Sequence, residues 1–372
     1  MLYSEENKLI FRFDDHLLWI QPWGENAFRV RATKLASMPL DDRVLSIKPA
    51  TLTPITKIPL GQEAVITNGK ITAAVSQRGK ITIYNSKGTK LLEEYARNRQ
   101  DLLDPKCSAL EIEARALWPI LGGDCNLNMR FESLGPQEKV FGMGQYQQPH
   151  LNLKGTDLEL AHRNSQASVP FALSSRGYGF LWNNPAIGRA ALGTKVMSFE
   201  AYWTRALDYW VVASDTPAEI EEAYAWVTGY VPMMPEYGLG SGSANSAIGS
   251  RSSCWRLFAN TGGEMGSGSL IQNSGRIPEH AMVKELDELK VKLMVSIWPT
   301  VENASENYPE MLERGLLIRH DRGVRVAMQC DGNITRFDAT NPAAREYVWH
   351  KAKKNHYDKE IQVSWLDEAE PE

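Results

Sequence analysis

From the start of the chain to about Asp215, apolar and polar positions alternate in short runs, among them KITAAVSQRGKITIYNSKG, LNMRFESLG, GYGFLWNNP and DYWVVASD, with Gly, Asn or Asp between them. Alternation with period 2 puts the apolar side chains on one face of an extended strand. At this spacing, with turn residues between the runs, it predicts an antiparallel all-β domain, a β-sandwich. The period changes at Thr216. TPAEIEEAYAWVTG offers Thr216 as N-cap, Pro217 at the first helical position and Glu219 to complete a capping box, with Ile220, Tyr224 and Val227 on one face and Gly229 as the stop. YVPMMPEYG follows, and its prolines stiffen an extended connector. The boundary is therefore placed between Tyr230 and Pro235, giving a first domain of residues 1–233 and a second of 234–372.

The second domain has a different pattern. AMVKELDEL is an amphipathic helix, KLMVSIWP a continuous apolar run of strand length, SENYPEMLERG and TNPAAREYVWHKAKKNHYD two further helices, the latter capped by Thr340 or Asn341 with Pro342 at its first position. IQVSWLDEAEPE closes the sequence with another apolar run. Fully apolar strands alternating with helices predict parallel βα units, whose sheet needs helices on both faces or around a barrel. One stretch fits neither pattern: SGSANSAIGSRSSCWRLFANTGGEMGSGSLIQNSGRI, Ser241 to Ile277, is about half Ser, Gly and Asn and has no apolar period, so no packed element is expected in it.

Composition narrows the class. With 43% hydrophobic and 23% charged residues among 372, the chain is that of an ordinary globular protein with room for about two domains. A net charge of −4, with no long run of either sign, leaves no electrostatic footprint for nucleic acid or a membrane surface. MLYSEENKLIFRFDDHLLWI lacks the basic start and apolar run of a signal peptide, and no stretch has the ~20 apolar residues of a membrane helix, so a cytoplasmic location is expected. Cys107, Cys125, Cys254 and Cys330 are scattered singly, as free thiols of a reducing compartment are, and the sequons at Asn303 and Asn333 then have no acceptor role. The seven histidines show no metal-ligand spacing.

The chemistry gathers at the end of the sequence. In IQVSWLDEAEPE an apolar strand runs straight into Asp367, Glu368, Glu370 and Glu372. Carboxylates at the carboxyl end of a barrel strand are placed for catalysis, and a pair of them suits glycoside hydrolysis first and metal binding second. The competing account is a solvated acidic tail.

WLDEAEPE resembles the nucleophile motif of glycoside hydrolase family 31, W-x-D-x-x-E-P at the end of the fourth barrel strand. The likeness extends through KLMVSIWPTV, RFDATNPAARE, VFGMGQYQQPHLNLKG, HRNSQASVPFALSSRGYGFLWNNP and DTPAEIEEAYAWVTGYVPMMPEYGLG, and so covers nearly the whole sequence outside Ser241–Ile277. Within the family the sequence looks most like the α-xylosidase and related bacterial α-glycosidase branch. The resemblance implies a galactose-mutarotase-like β-sandwich followed by the first, incomplete part of a (β/α)8 TIM barrel, and retaining hydrolysis of an α-linked xyloside or glucoside. It implies Asp367 as nucleophile and Glu370 as supporting carboxylate, no cofactor, and an acid/base residue from a later strand that this sequence lacks, so the 372-residue polypeptide is expected to be inactive. Candidates for sugar contact are Trp298 at the end of KLMVSIWP, Trp365 two before Asp367, and, in the polar loop GQYQQPHLNLKG, Gln147 and His150 with Gln145 and Gln148 beside them. For each the plain alternative is packing or a hydrated loop. Asp338 is expected at the start of a helix. The partner is an oligosaccharide or α-glycoside; oligomeric state is open.

In the family, the residues after PEYGLG build the first barrel strand, a helix and the second strand. Here a frameshift accounts for their absence. Back-translating Ser241–Trp255 and the first bases of Arg256 with free codons, and regrouping each last base with the next two, gives FWQCKLRYRIQELLLE, and Ser267–Ile277 gives EWKFDPEQWPD, both family-like, with no string for a second strand between them. Residues 241–277 are therefore expected to be out-of-frame translation with a deletion inside. The competing account, a natural flexible linker, leaves a closed barrel without its opening strand and helix. Two rival functions stand beside the hydrolase: a carbohydrate-binding or assembly sandwich without catalysis, and a phosphate- or metal-using barrel enzyme.

Overall fold

A computed structural model describes residues 1–40, 44–45, 54–98, 108, 110–163, 166–235, 243–244, 268–271, 280–288, 292–298, 300–319, 328–329 and 333–366. The chain divides into two compact units, Met1–Val231 and Pro232–Glu372. Among the described residues no helix is long and apolar enough to cross a membrane.

Among the described residues the first unit forms three antiparallel sheets. The largest has eight strands, in spatial order Leu2–Glu5, Lys8–Phe13, His16–Pro22, Ala27–Thr33, Leu207–Ala213, Tyr178–Leu181, Ala167–Ser174 and Val140–Gln145. A five-stranded sheet runs Arg115–Pro119, Cys125–Glu132, Val196–Thr204, Gly188–Leu192, Asp157–Leu160, and a second five-stranded sheet is a meander from Ile55 to Glu93. The alternation in the sequence explains the core. Phe28, Val30, Tyr209 and Val211 from the large sheet meet Leu127, Met129, Phe131 and Phe199 from the second and Ile66, Ile71 and Ile83 from the third in one buried cluster. At its centre Phe131 packs edge-on to Phe180 and Tyr209, with ring centroids 5.5 and 5.8 Å apart, the geometry that aromatic quadrupoles favour.

Ala27–Thr33 and Leu207–Ala213 are buried at every position, which period-2 burial does not give. The reason is the helix Pro217–Thr228, which covers the other face of the large sheet by packing Ile220 and Val227 on Trp23, Phe171, Trp210 and Val212. Its capping box is formed as its sequence predicts: Thr216 accepts from the Glu219 backbone N–H and Glu219 reaches back to the Thr216 N–H. The buried Arg29 lies in this layer. Its Nη2 donates to Asp208 Oδ2 at 2.6 Å, and Asn183 Nδ2 donates to the same oxygen at 2.9 Å, so the two charges neutralise each other inside the fold.

VFGMGQ folds in an unusual way. Gly142, Met143 and Gly144 have φ of 92°, 67° and 92°, and the register with Ala167–Ser174 shifts between the two glycines. A Cβ at Gly142 would lie 2.5 Å from the Phe171 carbonyl oxygen, and one at Gly144 would overlap that of Ala167. Only glycine satisfies both the left-handed backbone and the close approach.

In the second unit four parallel strands lie side by side in the order Ser243–Ala244, Gly268–Ile271, Lys292–Ile297, Val363–Leu366. The helix His280–Glu288 connects the second to the third, seating Val283 and Leu286 against Leu293 and Ile361. Helices Tyr308–Glu313 and Pro342–Asn355 share a second cluster of Tyr308, Met311, Leu316, Leu317, Ala344 and Tyr347. Asn341 is the cap of the last helix, accepting from the Ala343 N–H at 3.0 Å.

Two features depart from the sequence pattern. The strands Ser243–Ala244 and Gly268–Ile271 fall inside the stretch where no element is expected. A parallel ladder is made by backbone groups alone, so a short strand can join it without any apolar period. A small antiparallel sheet, Thr300–Glu302 with Asn333–Arg336 with Met328–Gln329, was also not expected, because strands of two to four residues are too short to show a period.

Candidate active site

Parallel strands present their carboxyl ends on one edge, and side chains there share one mouth. Pairing of Lys292–Ile297 with Val363–Leu366 runs from Met294 opposite Val363 to Ile297 opposite Leu366. The two strands thus end level with each other. Leu293 and Ile297 belong to the helix-covered face, so Met294 and Trp298 alternate to the opposite one. Trp298 is half-buried directly beyond the last pair, and its indole N–H is buried with no hydrogen-bond partner. A buried donor without an acceptor costs free energy, and the Trp298 N–H shares that state with the core indoles of Trp23 and Trp182.

Trp365 stands opposite Ser296 in the register, one pair before the strand ends. Asp367 and Glu370 lie outside the described residues, as does most of Ser241–Ile277. Asp338 is tied to the turn that leads into the last helix: its Oδ1 accepts from the Thr340 N–H at 2.9 Å and from the Thr340 hydroxyl at 2.6 Å. That leaves it as the start-of-helix residue its sequence suggests.

Gln147 and His150 belong to the first unit, in the loop that leaves the VFGMGQ strand, and both are exposed. The loop is held by Gln148, whose Nε2 donates to the His150 carbonyl at 2.8 Å and whose Oε1 accepts from the His150 N–H at 3.1 Å. Gln148, which the sequence offers only as one more polar residue of this loop, thereby fixes the backbone at His150. The signal available in the sequence was the spacing of an amide two residues from a backbone it can clasp across a proline.

Residues 18–189 match the family model described as "Glycosyl hydrolase 31 N-terminal galactose mutarotase-like domain", and residues 266–372 match "Glycosyl hydrolases family 31 TIM-barrel domain". The uncharacterized family 31 glucosidase ORF2 of Pseudescherichia vulneris is 39% identical over 409 aligned positions, which take in 100% of this chain and 74% of that protein. Alpha-xylosidase A of Aspergillus niger is 30% identical over 68% of this chain, and the match spans 37% of its own length. Among solved structures, a GH31 alpha-xylosidase from a soil metagenome, crystallised with xylose, superposes with a TM-score of 0.93 at 43% identity; the match covers 100% of this chain and 58% of that one. The alignment with ORF2 is longer than this chain's 372 residues, so the relative carries positions that have no counterpart here. The sandwich, the parallel strands with their helices, and these likenesses across both units make the chain a member of glycoside hydrolase family 31.

Proposed function

We propose that the parallel strands of the second unit carry the nucleophile half of a retaining α-glycosidase site acting on α-linked xylosides or glucosides. What supports this is the level end of the two paired strands: Trp298 follows one of them in the chain and Asp367 the other. In the proposed reaction the ionised Asp367 attacks the anomeric carbon and forms a glycosyl ester. A second carboxyl group ~5 Å away gives its proton to the departing glycosidic oxygen, then takes one from the water that breaks the ester. Glu370 follows Asp367 by three residues on the same strand end, so it serves to hold and tune Asp367 rather than to protonate the leaving group from the far side of the sugar. Trp298 and Trp365 would line the sugar subsite, with the unpartnered indole N–H of Trp298 donating to a hydroxyl. No residue among 1–372 is assigned the acid/base role.

The test is made in a polypeptide with the reading frame restored and the barrel completed. Asp367→Ala is expected to abolish turnover of an aryl α-xyloside and an aryl α-glucoside while the circular dichroism is unchanged. A slow-turnover fluoroglycoside should leave a covalent sugar on the peptide bearing Asp367. Turnover by a folded Asp367→Ala protein, or a label elsewhere, would remove the assignment. For Ser241–Ile277 we infer out-of-frame translation with a deletion inside it. Two family-like strings from one shift and the longer ORF2 alignment support this. The nucleotide sequence of the locus, read in all three frames, decides it: an in-frame family-like second strand would overturn the deletion.

A further inference from the structure

The five-stranded sheet of the first unit that runs from Arg115–Pro119 to Asp157–Leu160 turns one face to the core and the other outward. Along Cys125–Glu132, Leu127, Met129 and Phe131 are buried in the core, and Asn126 and Asn128 alternate to the outer face. Trp118 is paired with Asn126 on the neighbouring strand and is 51% exposed. On the other side the pairing passes from Leu127 opposite Ala201 to Cys125 opposite Thr204, so a β-bulge sets two residues, Tyr202 and Trp203, against Asn126 alone. Trp203 is 66% exposed, has φ of 52° and donates its backbone N–H to Asn126 Oδ1 at 3.3 Å. A large aromatic in the left-handed region is strained, and here no burial of the ring offsets that cost.

Asn126 lies between the two rings, and a polar network lies beside it, two residues along the same strand. Glu200 accepts from Asn128 Nδ2 at 2.8 Å and from the Tyr202 hydroxyl at 2.9 Å. A carboxylate can only accept, which fixes the orientation of the Asn128 amide and leaves its Oδ1, in a residue only 7% exposed, as an acceptor with no donor. The two tryptophans are borne by strands on either side of a common neighbour, ~10 Å apart as two inter-strand spacings, the span of two linked pyranose rings. We propose that this outer face is a non-catalytic platform for a neutral oligosaccharide. Trp118 and Trp203 stack on the C–H faces of its rings, and its hydroxyls answer Glu200, directly or through a bridging water. The occupant follows from the chemistry. A protein partner would call for a contiguous apolar centre, whereas here the Asn126 amide separates the rings and the Glu200 carboxylate lies beside it; nucleic acid would call for free cations, whereas Arg189 on this face is paired with Asp157 and Glu159 holds Arg163. The choice of gluco- or xylo-configured sugars rests on the glycosidase reading above. The platform itself does not.

The 372-residue chain is titrated with cellotetraose, xylotetraose, maltotetraose and isomaltotriose, followed by saturation-transfer NMR and tryptophan fluorescence. Saturable binding of at least one is expected, weakened about tenfold or more by Trp203→Ala or Trp118→Ala, as for aromatic anchors elsewhere. Trp118→Tyr and Asp367→Asn should both keep it. No binding of any probe would overturn the platform, as would undiminished binding by a folded Trp118→Ala/Trp203→Ala double variant. A change of oligomeric state in that variant without loss of saccharide binding would also overturn it, by assigning the face to a second copy of the chain. Binding lost in Asp367→Asn but kept in the tryptophan variants would place the sugar at the catalytic strands, and then the platform falls while the glycosidase reading stands. Platform binding intact beside an inert frame-restored protein would give the reverse.

Discussion

At Cys125 the thiol is buried and donates to the Thr204 carbonyl at 3.0 Å. Burial, with the adjacent Asp124 adding to it, pushes its pKa up to about 11. Only the thiolate attacks an alkylating reagent, and raising the pKa from ~8.5 to this value cuts the thiolate present at neutral pH by more than a hundredfold. Cys125 is therefore expected to resist iodoacetamide at pH 8 in the folded protein and to react promptly once urea unfolds it, as read by peptide mass spectrometry. Fast labelling of the native protein would contradict its burial. The spacing of the cysteines indicated a free thiol at this position, and the structure agrees. That it is inert could not be read from the sequence, because reactivity is set by the strand packed over it. In the same way GQYQQPH revealed a polar loop but not that Gln148 clasps His150. Nor did the sequence single out Trp118 or Trp203: an exposed tryptophan and a buried one are written with the same letter.

Among the elements, the strand Val140–Gln145 tests the backbone argument most sharply. Gly144→Ala is expected to lower stability by roughly 1–3 kcal/mol, since it adds both the strain of a positive φ and an overlap with the Ala167 carbonyl. Gly88→Ala is the control, because Gly88 shares a positive φ of 74° but a Cβ there meets nothing within 4 Å. The difference between their urea midpoints reports the close approach alone. Equal losses would mean that the FGMGQ glycines serve conformation only. Local rules made most elements legible beforehand. The helix Pro217–Thr228 was readable because capping box, N1 proline and C-terminal glycine all act within a few residues. The sheet of Thr300–Glu302, Met328–Gln329 and Asn333–Arg336 was not, since its strands are specified by partners distant in the chain.

For the molecule as a whole, the 372-residue polypeptide by itself is expected not to hydrolyse aryl α-xyloside or α-glucoside. A retaining site needs two opposed carboxyl groups held on a preorganised rim, and only the nucleophile side is assigned here. Assay beside a frame-restored, barrel-complete protein checks this; equal rates would overturn both this expectation and the frameshift reading, while activity in the completed protein alone would support them. The sequence by itself determined the things that depend on period and on local chemistry: antiparallel strands up to Asp215, a helix at Thr216, parallel βα units after it, and an acidic motif placed directly behind an apolar strand. Tertiary structure alone decided what depends on which strand lies beside which. It brought Lys292–Ile297 and Val363–Leu366 to a common end beside Trp298, covered the second face of the central strands with one helix, and set two exposed tryptophans on either side of a single asparagine, one of them at a β-bulge. Pairing between residues far apart in the chain leaves no periodic trace in either partner, because each strand carries the same alternation whichever neighbour it finds.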